Sequence, residues 1–213
     1  MDSFWENSWA NADSSRIKKY IAQKNMGEDD LIKMLRQHNV RTVCDAGCGC
    51  GIHTAKLAAN GFFVSAFDVS AHAIAFTQSL LSQFHLKANL KIASILKTAY
   101  KDEQFDGVIS IDVLDHIRKA ESIKAIMELL RITKPGGIIL FTLDSLDKEY
   151  LLEPHIVNPD GDYIYTGGKW NGMVFHPYDQ QNVLDIVPSP NSIEVAHKNG
   201  ELIILLKKKQ LFK

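Results

Sequence analysis

Asp45, Gly47, Gly49 and Gly51 alternate with small residues in the stretch VRTVCDAGCGCG, which begins at Val40. Glycines spaced this way let a backbone turn tightly and approach a ligand with no Cβ in the way. Asp68 closes the next apolar run, FFVSAFD. A carboxylate there can accept hydrogen bonds from both hydroxyls of a ribose, so the pairing points to a nucleoside-containing ligand. The glycine spacing separates two readings. A dinucleotide fingerprint, G-x-G-x-x-G, would need glycine where the chain has Ile52. The observed pattern is D-x-G-x-G-x-G.

These residues need strands and helices to hold them. An apolar strand over 40–45 places Asp45 at its carboxyl end, and a helix follows over 52–60. A second strand over 62–67 leads to a helix capped by Ser70, with Ile74, Leu81 and Phe84 on one side. A third strand is expected at 90–93 and a fourth, FDGVISI, at 105–111. Ile123, Ile126, Met127 and Leu130 then share a helix face. Lys134-Pro135-Gly136-Gly137 should break that helix before a fifth strand at 138–143. Alternating helices and apolar strands mean a parallel sheet covered on both faces. Upstream, Ser14 and Ser15 are expected to cap a helix with Ile17, Tyr20 and Ile21, and Glu28, Asp29 and Asp30 to open another with Leu31, Ile32 and Leu35. Near the end, two strand-like runs flank Asn199-Gly200, a strong signal for a tight antiparallel hairpin.

At 213 residues, with 46% hydrophobic and 23% charged residues, the composition is that of one soluble globular domain. No apolar run reaches the length of a membrane span, and the start MDSFWENSW lacks the pattern of a signal peptide. A formal charge of −1 offers no general electrostatic footprint for nucleic acid. Lys207, Lys208 and Lys209 read as the solvated end of a terminal strand. All three cysteines (Cys44, Cys48, Cys50) fall inside the glycine motif with no further paired ligands nearby, which argues against a metal site. Their odd number argues against a disulfide framework and fits a cytoplasmic location.

The D-x-G-x-G-x-G stretch, followed by Asp68, resembles motif I of the class I S-adenosylmethionine-dependent methyltransferases. The terminal hairpin is similar to that family's last two strands. The resemblance implies a Rossmann-like, doubly wound, mostly parallel seven-stranded sheet with an antiparallel C-terminal hairpin and helices on both faces. It implies S-adenosylmethionine as cofactor and S-adenosylhomocysteine as product. Carried over residue by residue, Asp45, Ala46 and Gly47 would line the methionine side of the cofactor, with Gly49 and Gly51 shaping the turn. Asp68 would hold the ribose, and Ser94 and Ile95 would meet the adenine, Ser94 standing where the family often has an acid. IDVLDHI, at 111–117, is similar to the family's motif IV in its small-molecule form, which places Ile111 and Asp112 beside the methionine portion.

A sulfonium methyl is already activated, so a base is needed only if the acceptor must lose a proton. Asp112 and His116 are the candidates. The plainer and stronger reading is that Asp115 caps a helix and His116 fixes the loop, both starting the helix that follows. His53 is expected to pack near the cofactor tail. The long, aromatic-rich segment 144–178 reads as an acceptor-side insertion, with DYIYTGG forming a small hairpin. Residues 1–39 would make an N-terminal helical lid, in which Trp5, Trp9 and Tyr20 close the pocket. The cofactor core would span 40–143, and 179–213 would hold a C-terminal helix and the hairpin. The leading expectation is a methyltransferase acting on a small-molecule acceptor, with no membrane and no nucleic-acid partner. Protein or nucleic-acid methylation, cofactor binding without turnover and an NAD-linked reduction are the alternatives. Oligomeric state and the attacking atom are left open.

Overall fold

The computed structural model describes residues 3–210 except 147, 190 and 199, and only the backbone of residues 3, 16, 18, 20 and 22. Three helices come first: α1 (Ser3–Ala10), α2 (Ser14–Ala22) and α3 (Asp30–Gln37). An alternating core follows: β1 (Thr42–Ala46), α4 (Ile52–Ala59), β2 (Phe63–Asp68), α5 (Ala71–Gln83), β3 (Asn89–Ile92), β4 (Phe105–Ser110), α6 (Lys119–Ile132) and β5 (Thr133–Asp144). The chain continues through α7 (Lys148–Leu152), β6 (His155–Val157), β7 (Tyr163–Tyr165) and β8 (Val174–Phe175), and ends in β9 (Ser192–Lys198) and β10 (Glu201–Lys207).

The main sheet runs β3-β2-β1-β4-β5-β10-β9. The first five strands in that order are mutually parallel, whereas β10 is antiparallel to both β5 and β9. Strand β1 shows why helices must cover both faces. Val43 enters one core and Cys44 and Ala46 the other, all fully buried. Successive strand residues point to opposite faces, so an unbroken apolar run needs cover on each. Likewise Ile139, Phe141 and Leu143 of β5 meet Ala125, Ile126 and Leu129 of α6, while Ile138 and Leu140 join the core of Ile32 and Leu35 from α3 and Leu57 from α4. Each such buried Leu or Ile contributes about 1.5–3 kcal/mol relative to exposure.

Several boundaries differ from those expected of the sequence. Strand β5 begins at Thr133, not 138, because Pro135, Gly136 and Gly137 form a bulge: Phe105 pairs with Thr133 and Gly107 with Ile138. Asp106 organises this end. Its carboxylate takes the Lys134 ammonium at 2.6 Å and the Arg41 and Thr42 backbone N–H groups at 3.0 and 2.8 Å. Burial pushes its pKa up, but these donors outweigh burial and hold it at about 2.

Asp115 and His116 do not begin the helix after β4. They lie in a 3-10 turn (Leu114–His116), and α6 starts only at Lys119, because Ile117 and Arg118 are extended. The segment before the hairpin holds a 3-10 turn (Asn182–Ile186) in place of the expected C-terminal helix. Pro188 biases Val187 toward extended backbone and stops any longer helix. The hairpin pairs Lys198 with Glu201, and Gly200 has a φ of +87°. Asn199 lies outside the described residues. DYIYTGG forms no hairpin of its own. Tyr163–Tyr165 is the middle strand of a three-stranded sheet, β6-β7-β8.

Candidate functional site

The chain leaves β1 to build β2 and β3 on one side, then crosses to β4 on the other. Ligands of open α/β sheets bind where the strand order reverses, beyond the carboxyl ends of the strands. A cavity of about 520 Å³ lies there. The loop after β1 contributes Gly47 and Gly49, the end of β2 contributes Phe67, Asp68 and Val69, and the end of β3 contributes Ser94 and Ile95. Beyond β4, Asp112, Val113 and His116 complete the wall, and Trp5 and Trp9 of α1 border it.

The glycine loop is tightly tied. Gly47 and Cys48 both donate their N–H groups to the Phe67 carbonyl, at 2.9 and 3.0 Å. Gly47 has a φ of +78°, and a Cβ there would lie 2.6 Å from Val113 Cγ2. Gly51 has a φ of +84°, and a Cβ there would meet the Thr77 side chain at 2.7 Å. Left-handed backbone and lack of space together demand glycine at both. Thr77 Oγ1 in turn donates to the Gly49 carbonyl at 2.9 Å, so α5 braces the loop.

Asp68 links the loop to the next turn, accepting Gly49 N–H and Ser70 N–H at 2.9 Å each, one on each oxygen. It is 7% exposed. Burial raises its pKa, opposed by the N–H groups of Ser70, Gly49 and Val69. Asp45, in contrast, stands behind the loop. Its carboxyl is 2% exposed and accepts from Thr54 Oγ1 of α4 at 2.5 Å. Burial pushes it up to about 7.

Of the residues singled out from the sequence, Gly47, Gly49, Asp68, Ser94, Ile95, Asp112 and His116 come together around the cavity. Asp45, Ala46, Gly51 and Ile111 are not among its lining residues. Ala46 packs in the α6-side core, and Ile111 packs against the core under α3. His53 likewise sits on α4 away from the lining, and burial lowers its pKa. Ser94 Oγ accepts the Leu96 N–H at 3.2 Å.

Asp112 has a φ of +55°, and its carboxylate accepts from Thr142 Oγ1 of β5 at 2.7 Å. Asp115 is fully buried: one oxygen accepts the Asp144 N–H at 2.9 Å, and its carbonyl accepts the His176 N–H at 2.7 Å. Burial, with Asp112 adding to it, pushes Asp115 up to about 7. The His116 ring meets the Trp5 and Phe175 rings edge-on, at 5.0 and 5.6 Å between centroids.

No described residue of 144–178 lines the cavity. The insertion instead backs it. Tyr165, Met173 and Phe175 form a small core with Phe4, Trp5, Tyr150 and Trp170, and Phe175 braces His116. Trp9 lies over Gly49, 3.0 Å from where its Cβ would be. The Tyr20 side chain lies outside the described residues. Val113, Ile92 and Glu121 also line the cavity and carry no sequence signal of their own. Asp144 does: it is an acid at the carboxyl end of β5, as Asp68 is at the end of β2.

Comparison with known proteins adds independent support. A family model described as a methyltransferase domain matches residues 43–137. The ubiquinone biosynthesis O-methyltransferase of Rickettsia bellii is 30% identical over 111 residues, covering 52% of this chain and 45% of that protein. The chain thus spans about half the length of the curated relatives it matches. A solved S-adenosylmethionine-dependent methyltransferase from Methanosarcina mazei superposes with a TM-score of 0.69 at 18% identity, covering 86% of this chain and 99% of that one. The 1,6-didemethyltoxoflavin-N1-methyltransferase of Burkholderia thailandensis, solved with bound 1,6-didemethyltoxoflavin and S-adenosylhomocysteine, gives a TM-score of 0.66 at 14% identity, over 98% of this chain and 87% of that one. At these identities the structures speak for the fold. No described helix is long and apolar enough to cross a membrane. The glycine loop, the acid ending β2 and the reversed last strand accompany a methyltransferase-domain match over residues 43–137, and the sheet has the fold of the solved S-adenosylmethionine-dependent methyltransferases.

Proposed function

We propose that this protein transfers a methyl group from S-adenosylmethionine to a small-molecule acceptor with an O, N, S or C nucleophile. The observation that carries the reading is the walled cavity at the strand-order reversal, lined by Gly47, Gly49, Asp68, Ser94 and His116 and bordered by Trp5 and Trp9. A volume of about 520 Å³ with a mainly apolar lining suits small organic ligands. The names of the Rickettsia and Burkholderia proteins both refer to small-molecule chemistry, which supports that acceptor class.

The cofactor, when bound, supplies an activated methyl on a sulfonium sulfur. The residues present fit it. Asp68, its oxygens already oriented by Gly49 and Ser70, would accept from the ribose hydroxyls. Ser94 and Ile95 would flank the adenine, and Gly47 and Gly49 would leave room for the amino-acid portion. Asp45, Ala46 and Gly51 would hold the loop from behind, with Ile111 supporting Asp112. The N-terminal helix α1 would cover the site through Trp5 and Trp9, and the insertion would stiffen its acceptor end through Phe175.

Much of the rate acceleration in such a reaction comes from alignment of nucleophile and methyl group. His116 and Asp112 would take a proton where the acceptor must lose one. The test is release of S-adenosylhomocysteine from S-adenosylmethionine in the presence of panels of phenols, amines and thiols. Turnover with a small acceptor supports the reading. Label from the methyl group entering only protein or nucleic acid overturns it.

A further inference from the structure

We propose that Asp115, His116 and Asp144 form a binding site for a divalent transition-metal cation at the edge of the cavity. The proposal stands apart from methyl transfer, since a cation can bind whether or not the chain turns over. One donor atom from each of the three residues lies within 4.8 Å of the others. The 3-10 turn after β4 supplies Asp115 and His116, and the end of β5 supplies Asp144. The parallel pairing of β4 with β5 and the Asp144 N–H bond to Asp115 bring them together. The sequence assigns no metal ligands, because nothing in the local spacing joins these residues.

A second observation points to a ligand. Asp115 is 0% exposed, and its Oδ1 is buried with no hydrogen-bond partner. A carboxyl oxygen left this way loses its hydration without replacement. A cation would supply the missing partner. His116 is held edge-on by Trp5 and Phe175 and lines the cavity, so a cation here would face bound small molecules.

The donor set sets the class of ion. An imidazole with two carboxylates suits Zn²⁺, Mn²⁺ or Fe²⁺ better than Mg²⁺ or Ca²⁺, which favour all-oxygen shells. Three protein ligands leave positions open for water or a ligand hydroxyl, as in catalytic zinc sites. Asp144 also stands within the same distance of Asp112 and Glu201. That trio is the weaker candidate, because Asp112 is exposed and its carboxylate already accepts from Thr142.

The full chain, stripped with a chelator, is to be titrated calorimetrically with Mn²⁺, Zn²⁺ and Mg²⁺, and separately followed by the visible absorption of added Co²⁺. The expected result is one Zn²⁺ or Mn²⁺ per chain, tighter than Mg²⁺. His116→Ala and Asp144→Asn should each weaken it at least about tenfold, and Glu201→Gln by much less. Asp144 is half-buried and His116 borders open space, so these variants test the site even if Asp115→Asn fails to fold. Absence of binding to millimolar cation overturns the proposal. So does affinity lost in Glu201→Gln but kept in His116→Ala, which moves the ion to the other trio.

Discussion

Asp45→Asn should remove a pH-dependent penalty built into the loop that holds the glycines. The Asp45 carboxyl is 2% exposed, hydrogen-bonded to Thr54 and pushed up from 3.8 to about 7 by burial. Between those values the native state keeps the proton and the unfolded state does not. Stability therefore falls as pH rises through that window, at about 1.4 kcal/mol per pH unit for this group. Over the whole window the loss is about 4 kcal/mol, complete above pH 7 and absent below the unfolded value. Asparagine keeps the shape and an acceptor for Thr54 but has no proton to lose. Urea unfolding of both proteins at pH 5, 6, 7 and 8 isolates the effect, because other titrating groups cancel in the difference. The variant should gain on the wild type by about 2–3 kcal/mol between pH 5 and pH 7, then level off. Parallel stability curves across that range would refute the assignment of a buried, protonated Asp45.

Asp68→Ala, on the proposed function, removes acceptors for two ribose hydroxyls and should weaken S-adenosylhomocysteine binding on the order of 100-fold by calorimetry. Unchanged affinity in a folded variant would take the ribose role from Asp68. Gly51→Ala forces a side chain onto a φ of +84° and a Cβ to 2.7 Å from Thr77, so a loss of about 1–3 kcal/mol is expected in chemical unfolding. A neutral result would mean that the loop relaxes. Asp106 is held at about 2 by Lys134, Thr42 and Arg41 against burial, so its contribution of about 2 kcal/mol is full above pH 4 and fades as pH falls through 2. Asp106→Asn should lose about that much at pH 7 and nothing at the acid end. A variant as stable as wild type at pH 7 would contradict this.

Much of the framework was legible because it rests on local rules. The glycine loop must turn at one place, and the apolar runs of β1, β2, β4 and β5 need cover on both faces. Ser70 caps α5 and Asp29 caps α3 by accepting backbone N–H groups, as their positions suggested. Lys198 pairs with Glu201 where β9 turns into β10, and these two strands give the sheet its antiparallel edge. Where expectation and fold part, long-range contacts decide. Pro135-Gly136-Gly137 breaks a helix in isolation, yet pairing with β4 makes it a bulge inside β5. Asp115 has the look of a capping residue, but the Asp144 N–H and a fully buried turn claim it. Ile111 follows β4 in sequence, and strand alternation turns it toward α3 and away from the cavity. The insertion reads as a wall. It acts from behind, because its aromatics find Trp5 and Phe4 of α1, residues far away in the chain.

Calorimetric titration of the full chain with S-adenosylmethionine, S-adenosylhomocysteine and NADH, each separately, tests the central claim most directly. The cavity bounded by Gly47, Asp68 and Ser94 should bind both sulfur compounds one to one with about micromolar affinity and leave NADH unbound. Binding of NADH alone, or of none of the three by a folded chain, would contradict the account.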